Sequence, residues 1–272
     1  KICLLCFDIS NNSLGRAALL ANALSTRHDV KIIGTSKNEN IWYPMRNIHV
    51  PIQIYPWSRY PSFISTIRKM LREMDADVYI ACKLRPTSFG VALLKKWLSG
   101  RPVLLDIDDW EAGFYYHSGF WGRVGRFLNF SNPNGLPYTW LMEKLAGFAD
   151  SIIVSNRFLQ HRFTGSLIHH CRDTTILNPY KFDSQKIKIS LGLGSNRVIM
   201  FMGTPRAHKG IDDLIQAVEG LNFSDLRLVF IGAEPSFNPT RNKPSAIQER
   251  VVVLPKIPFE ELPKFLAAAD IL

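Results

Sequence analysis

The stretch Val198–Gly210, VIMFMGTPRAHKG, constrains the fold more than any other part of the chain. Its opening apolar run is long enough for one buried strand, and Gly203 then lets the backbone turn and approach a ligand closely. The loop is basic, since it contains Arg206, His208 and Lys209. After Gly210 a helix is predicted, because its apolar residues share one face: Ile211, Leu214, Ile215 and Val218.

Such a strand, basic loop and helix N-terminus are typical of an α/β unit. Free N–H groups and the positive end of the helix dipole meet at the loop, which suits a phosphate group. An ordinary strand-to-helix turn with solvated basic residues is the alternative that the residues leave open.

Composition restricts the class of protein and the kind of partner. The chain has 272 residues, of which 46% are hydrophobic and 21% charged, as in a globular protein of more than one domain. The net charge of +10 predicts an acidic partner, such as nucleic acid, anionic lipid or a phosphorylated small molecule. Because the sequence contains no nucleic-acid-binding signature, we expect no nucleic acid among its partners.

The four cysteines predict neither a metal site nor a disulfide framework. Cys3 and Cys6 form a C-x-x-C pattern, but residues three apart in a strand point to opposite faces. With no export signal at the N-terminus, thiols of this kind indicate a reducing cytoplasm.

The first hundred residues alternate strands and helices. A strand over 2–8, a polar turn at Ser10–Ser13, a helix through Leu14–Leu24 and a strand over 28–34 predict the start of a doubly wound parallel sheet. Thr87 or Ser88 is expected to cap a helix that stops at Gly100. Basic residues are frequent over 69–101. We expect them to form a solvated face or, alternatively, a surface that rests on anionic lipid. These residues are Lys69, Arg72, Lys83, Arg85, Lys95, Lys96 and Arg101.

Pro102–Glu111 is the second informative stretch. An apolar strand leads directly into four carboxylates, which are Asp106, Asp108, Asp109 and Glu111. Ligands of open α/β sheets gather at the carboxyl ends of strands. Neighbouring ionised carboxylates repel each other, so a cluster of them usually has a function or a counterion. We therefore predict a functional cluster here; an acidic turn that caps a helix is the alternative.

Residues 112–136 combine many aromatic side chains with five glycines, His117, Arg123 and Arg126. This composition favours a mobile element that contacts an acceptor or a membrane interface. A long lid over an acceptor site is the competing interpretation.

The Val198–Gly210 stretch resembles the signature loop of the GT4 family of retaining glycosyltransferases, in which an apolar strand is followed by Gly, five variable positions and Lys-Gly. Gly203, Lys209 and Gly210 match in identity and spacing. Where the family usually has an Arg directly after the first Gly, this chain has Thr204, so Arg206 is the candidate for that role.

The resemblance implies the GT-B fold, with two Rossmann-like doubly wound parallel-sheet domains that face a cleft. It implies an acceptor-binding domain at 1–183 and a partial nucleotide-sugar-binding domain at 184–272. Gly203, Arg206, Lys209 and Gly210 would bind the donor diphosphate. Gly15 and Arg16 would bind the acceptor. Asp108 occupies the place of a family His near the transferred sugar, and with Asp109 it would be catalytic.

The same resemblance implies a transfer of sugar from a nucleotide-diphosphate donor to a sugar or lipid-linked acceptor, with retention of configuration and with no metal or other cofactor. The family's paired glutamates would lie beyond Leu272, so we expect a C-terminally incomplete enzyme and not full activity from this stretch alone. The alternative is a non-catalytic module of the same fold that binds a nucleotide sugar or a lipid phosphate. Either protein would be cytoplasmic, with the inner face of an anionic membrane as a further candidate partner.

Overall fold

A computed structural model describes residues 1–116, 120–206, 209–221, 223–234 and 236–272, and shows an α/β protein with two parallel sheets. The chain divides into two compact units, residues 1–171 and residues 172–272. The predicted domain boundary at 183/184 lies inside the second unit and stays a prediction.

The first unit is built on a seven-stranded parallel sheet. Its spatial order is β3-β2-β1-β4-β5-β6-β7, so the direction of winding reverses between β1 and β4. The strands are β1 Ile2–Cys6, β2 Val30–Ser36, β3 Ile52–Pro56, β4 Val78–Cys82, β5 Val103–Ile107, β6 Ser151–Val154 and β7 Ser166–Leu167.

Helices cover both faces of this sheet. They are α1 Ser13–Ser25, α2 Phe63–Glu73, α3 Val91–Ser99, α4 Gly113–Tyr116, α5 Phe120–Phe127, α6 Leu136–Leu145 and α7 Arg157–Phe163. Cys3 belongs to the core on the face of α2, α3 and α6, whereas Cys6 belongs to the core on the face of α1. The predicted opposite orientation of these two thiols is therefore confirmed.

Helix α3 and strand β1 are present as the sequence predicts, but one end of each is shifted. Gly100 ends α3 with a φ of 69°, the left-handed conformation that glycine adopts without strain. The helix itself starts later than predicted, because Pro86–Gly90 forms a wider π-type turn before Val91. The first strand stops at Cys6, since Asp8 folds back to bind Ser10 and Asn11 through its carboxylate.

The second unit is built on a three-stranded parallel sheet of order β10-β9-β8. Its strands are β8 Arg197–Met202, β9 Leu226–Ile231 and β10 Val251–Leu254, and its helices are α8 Ser184–Ser190, α9 Ile211–Glu219, α10 Ser245–Gln248 and α11 Leu262–Leu266. Ile271 forms a parallel bridge with Ile199 at the free side of β8. Among the described residues, no helix combines the length and the apolar character needed to cross a bilayer.

Candidate functional site

The loop after β8 has the backbone that its glycines predict. Gly203 has a φ of 135°, a backbone conformation that residues with a side chain rarely adopt. Its N–H donates to the Ile231 carbonyl at 2.9 Å. Opposite it, Gly232 has a φ of 98°, and a Cβ added there would lie 3.0 Å from the Gly203 carbonyl oxygen. Two glycines thus allow the ends of β8 and β9 to approach each other closely.

The same loop leads into the N-terminus of α9. Gly210 occupies the N-cap position with a φ of 69° and has no side chain to cap the first turn, so the N–H groups there can donate to an anion. Arg206 and Lys209 are exposed beside this helix end, and the Lys209 N–H donates to the Arg206 carbonyl at 2.8 Å. His208, expected to add charge to the loop, lies outside the described residues.

Two carboxylates act against an anion at this position. Asp212 and Asp213 lie in the first turn of α9, where they stabilise the helix through its dipole. An anion bound here would therefore need the positive charge of Arg206 and Lys209 in addition to that of the helix dipole.

In the first unit, the reversal of strand order between β1 and β4 marks the edge where ligands gather in doubly wound sheets. The predicted acidic cluster lies at this edge, because it follows β5, the neighbour of β4. Asp106 is still within β5, while Asp108, Asp109 and Glu111 come directly after it.

Asp106 forms a buried ion pair with Arg16 of α1. Nη2 of Arg16 lies 2.7 Å from Oδ1, Nε lies 2.9 Å from Oδ2, and both side chains are at most 3% exposed. Arg16 also donates to the Ile168 carbonyl at 3.2 Å. A bidentate pair of this kind fixes α1 to the sheet. A Cβ on Gly15 would lie 3.3 Å from the Trp42 ring, so this position also packs closely. The predicted acceptor-binding role of Gly15 and Arg16 stays a prediction.

Lys83, which follows β4, is the counterion of the acidic cluster. Its Nζ lies 2.7 Å from Asp108, 2.6 Å from Asp109 and 3.1 Å from Glu111. The Lys83 side chain is 8% exposed. A φ of 74° at Lys83, unusual for a residue with a Cβ, accompanies this inward orientation.

The three carboxylates differ in their exposure. The Asp109 side chain is 47% exposed, whereas those of Asp108 and Glu111 are 12% and 4% exposed. Burial raises the pKa of Asp108 to about 6, although the Lys83 ammonium lowers it. For Lys83 burial favours the neutral amine, yet the three carboxylates outweigh it and raise its pKa. Asp109 is thus the carboxylate that a ligand can reach, and Asp108 is the one that can exchange a proton near neutral pH.

Arg85 connects this cluster to the segment that follows it. Its guanidinium pairs with Glu111 and donates to the Tyr115 hydroxyl at 2.7 Å, the Asn134 carbonyl at 2.9 Å and Thr139 Oγ1 at 2.9 Å. Arg85 thereby holds α4, the start of α6 and the loop before α6 in place.

The sequence did not identify Lys83 and Arg85 as site residues. They were expected to belong to a solvated or lipid-facing basic surface, which is wrong for these two because both side chains are buried. A usable signal was present: both residues follow β4 at the carboxyl edge of the sheet, as the predicted carboxylates follow β5.

The carboxyl oxygens of Asp108, Asp109 and Glu111 lie within 4.8 Å of one another, a spacing that could also hold a metal ion. The Lys83 ammonium contacts all three, so this chain supplies its own cation to the cluster.

Comparisons with known proteins agree with this architecture. Residues 183–272 match the family model described as Glycosyl transferases group 1. No curated protein is similar enough to the chain to count as a match.

Solved structures resemble the chain at low sequence identity. The Anabaena protein HepE in complex with UDP-glucose has a TM-score of 0.68 at 14% identity, with 99% of this chain and 72% of that chain covered. WaaG, a glycosyltransferase involved in lipopolysaccharide biosynthesis, has a TM-score of 0.67 at 11% identity, with coverages of 99% and 73%. A UDP-N-acetylglucosamine 2-epimerase from Listeria monocytogenes, itself identified only provisionally, has a TM-score of 0.57 at 14% identity, with coverages of 98% and 72%.

At these identities the likeness to solved structures shows the fold, which is GT-B, as the resemblance to the GT4 signature loop implied. Together, the family match over residues 183–272 and the shared fold support a glycosyltransferase.

Proposed function

We propose that this chain transfers a sugar from a nucleotide-diphosphate donor to an acceptor hydroxyl with retention of configuration, as a GT4-like hexosyltransferase. The observation that carries the proposal is the loop Gly203–Gly210. It combines two glycines of positive φ, an uncapped helix N-terminus and two exposed cations within the part of the chain that matches a glycosyltransferase family. The retaining course and the GT4 assignment rest on the resemblance of this loop to the family signature.

In this proposal Lys209 and Arg206 bind the donor diphosphate. When the bond between the sugar C1 and the diphosphate oxygen breaks, negative charge builds up on the leaving group. The Lys209 ammonium, the Arg206 guanidinium and the N–H groups of α9 stabilise that charge, which lowers the barrier. Gly203 and Gly210 leave room for the phosphates, and the reaction uses no divalent metal.

Asp109 and Asp108 have separate roles in this proposal. Asp109 accepts a hydrogen bond from a sugar or acceptor hydroxyl, because its carboxylate is the more exposed of the two. Asp108 adjusts the charge of the cluster, since its pKa of about 6 lets it exchange a proton near neutral pH. The acceptor is a sugar or a lipid-linked sugar bound by the N-terminal unit, with Gly15 and Arg16 at its edge.

The test compares Lys209→Ala with Lys264→Ala, an exposed lysine of α11 in the same unit. We expect Lys209→Ala to lower the rate of donor turnover by about 10²–10³-fold, the usual effect of removing one transition-state charge partner. Lys264→Ala should leave the rate unchanged. The assay measures nucleotide release from a panel of nucleotide sugars with the natural full-length protein, and NMR of the product gives its anomeric configuration.

Equal rates for Lys209→Ala and the unaltered protein would refute the assigned role of Lys209. Calorimetric binding of a nucleotide sugar without turnover on any acceptor would instead favour the non-catalytic binding module.

For location, we propose a reducing compartment such as the cytoplasm, because Cys3, Cys6 and Cys82 are buried thiols.

A further inference from the structure

His169 lies at the same edge of the first sheet as the acidic cluster. It follows the end of β7 by two residues, as Asp109 follows the end of β5 by two residues. Strand β6 lies between these two strands, and Ile107, Val154 and Leu167 are in register across them. Neighbouring strands lie about 4.8 Å apart, so the carboxyl ends of β5 and β7 are about 10 Å apart.

The backbone that carries His169 is held from two sides, although β7 has only two residues. The Ile168 N–H donates to the Val154 carbonyl at 2.9 Å. The Ile168 carbonyl accepts a hydrogen bond from the Arg16 guanidinium at 3.2 Å, and Arg16 is in turn paired with the buried Asp106. The ion pair that fixes α1 to the sheet therefore also fixes the residue before His169.

The two nitrogens of the His169 ring have different surroundings. Nδ1 lies 3.0 Å from the Ser155 carbonyl oxygen, and since a carbonyl can only accept, Nδ1 carries the hydrogen. Ser155 is buried, and its hydroxyl donates to the Asp108 carbonyl at 2.9 Å. His169 itself is exposed, and within the described part of the chain Nε2 has no hydrogen-bond partner. In the neutral ring Nε2 is thus a hydrogen-bond acceptor that a ligand can reach.

This arrangement indicates the chemical class of the ligand. Nε2 of neutral His169 and the Asp109 carboxylate, which is 47% exposed, are both hydrogen-bond acceptors at one edge of the sheet. Two acceptors suit a molecule that offers several hydroxyl donors, as a sugar does. A phosphate group fits less well, because the Asp109 carboxylate would repel it and the neutral ring has no hydrogen on Nε2 to donate.

We infer that His169 binds a hydroxyl group of the acceptor sugar through Nε2, at the end of β7, while Asp109 binds the same sugar from the end of β5. The contact of Nδ1 with Ser155 fixes the orientation of the ring, and Nε2 contributes to the choice of acceptor. This inference rests on the proposed sugar transfer and adds a substrate-binding residue to it.

Two substitutions separate the roles of the two ring nitrogens. The amide nitrogen of Asn lies close to the place of Nδ1, so His169→Asn retains a donor for the Ser155 carbonyl and loses Nε2. Gln reaches one carbon further, so His169→Gln places an amide oxygen near the position of Nε2 and can still accept from a hydroxyl. The matched control is His49→Asn, an exposed histidine that precedes β3 and so lies at the opposite edge of the sheet.

The assay uses the natural full-length protein, the nucleotide sugar that it turns over, and octyl glycosides of glucose, galactose and mannose as acceptor probes, below their micelle concentrations. We expect His169→Asn to raise the KM for the accepted glycoside about tenfold, the effect of one lost hydrogen bond. The KM for the donor should change less than twofold. His169→Gln should raise the glycoside KM by less than His169→Asn does, and His49→Asn should not change it.

An unchanged glycoside KM in His169→Asn would overturn the inference, because His169 would then only hold its loop, and the proposed sugar transfer would stand. Equal increases in the KM for donor and glycoside would also overturn it. If the unaltered protein releases no nucleotide from any donor, the proposed transfer fails, and direct binding decides the inference. Long-range ¹H–¹⁵N spectra of the histidine rings would then be recorded with each glycoside: a shift of Nε2 in His169 but not in His49 supports it, and no shift overturns it. Far-UV circular dichroism checks that each variant is folded.

Discussion

The protonation of Asp108 makes the stability of the first unit depend on pH in a way that one substitution can isolate. Lys83 and Arg85 supply two positive charges to three carboxylates, so the cluster has one negative charge in excess. Burial raises the pKa of Asp108 from 3.8 to about 6. Keeping Asp108 ionised in the folded protein at neutral pH therefore costs about 3 kcal/mol, at about 1.4 kcal/mol for each pKa unit.

The direction of the effect follows from which state binds the proton more tightly. The folded state has the higher Asp108 pKa, so it gains a proton before the unfolded chain does as pH falls. The contribution of Asp108 to the free energy of unfolding is least favourable above pH 6. It should improve by about 1 kcal/mol between pH 7 and pH 5, and the full recovery is reached below the unfolded pKa.

Asp108→Asn removes this titration and should flatten that part of the pH dependence. The six tryptophans of the chain all lie in residues 42–140, so their fluorescence during urea unfolding reports the first unit. Asp150→Asn is the control: pairing with Lys96 lowers the pKa of Asp150, so its titration falls below the pH 5–7 range. Parallel pH profiles for Asp108→Asn and the unaltered protein between pH 7 and pH 5 would refute the reasoning.

Two further predictions concern stability. Arg16→Leu should destabilise the first unit by about 3–5 kcal/mol, because it leaves the buried Asp106 carboxylate without its partner. In urea unfolding, the double variant Arg16→Leu/Asp106→Leu should recover most of that loss. An equal or larger loss of stability in the double variant would contradict this account. In the second unit, Gly232→Ala should lower the free energy of unfolding by about 3 kcal/mol, since its Cβ would meet the Gly203 carbonyl at 3.0 Å. The control is Gly192→Ala: Gly192 has a φ of 71° with open space around it, so this substitution should lower the free energy of unfolding by only about 1 kcal/mol. Circular dichroism melts compare the two variants. Equal losses of stability would contradict the prediction, because they would show that the close contact at Gly232 relaxes.

Much of the fold could be predicted from local pattern. The alternation of apolar strands with helices of one apolar face specifies a doubly wound sheet, and Gly100 and Gly203 mark the turns that need positive φ. Those signals lie within a few residues of the structure that they specify, so one sequence is enough to read them.

The chemistry at the end of β5 was only partly predictable, because it depends on residues far apart in the chain. In the sequence, Asp106 looks the same as the three carboxylates that follow it. In the structure it pairs with Arg16, which lies ninety residues away in the chain. Lys83 was expected on a solvated or lipid-facing surface, because the residues next to it in the sequence indicate neither its left-handed backbone nor its burial. Burial of a charge is set by tertiary packing, and no local composition specifies it.

The outer strands of the seven-stranded sheet have a consequence for how the protein behaves at high concentration. Pro56 ends β3 and cannot donate a hydrogen bond to a new strand, and β7 at the opposite side has only two residues. Exposed strands are templates on which chains stack into aggregates, and natural proteins blunt them with prolines and short lengths. The first unit thus has built-in protection against growth of its sheet by edge-to-edge addition.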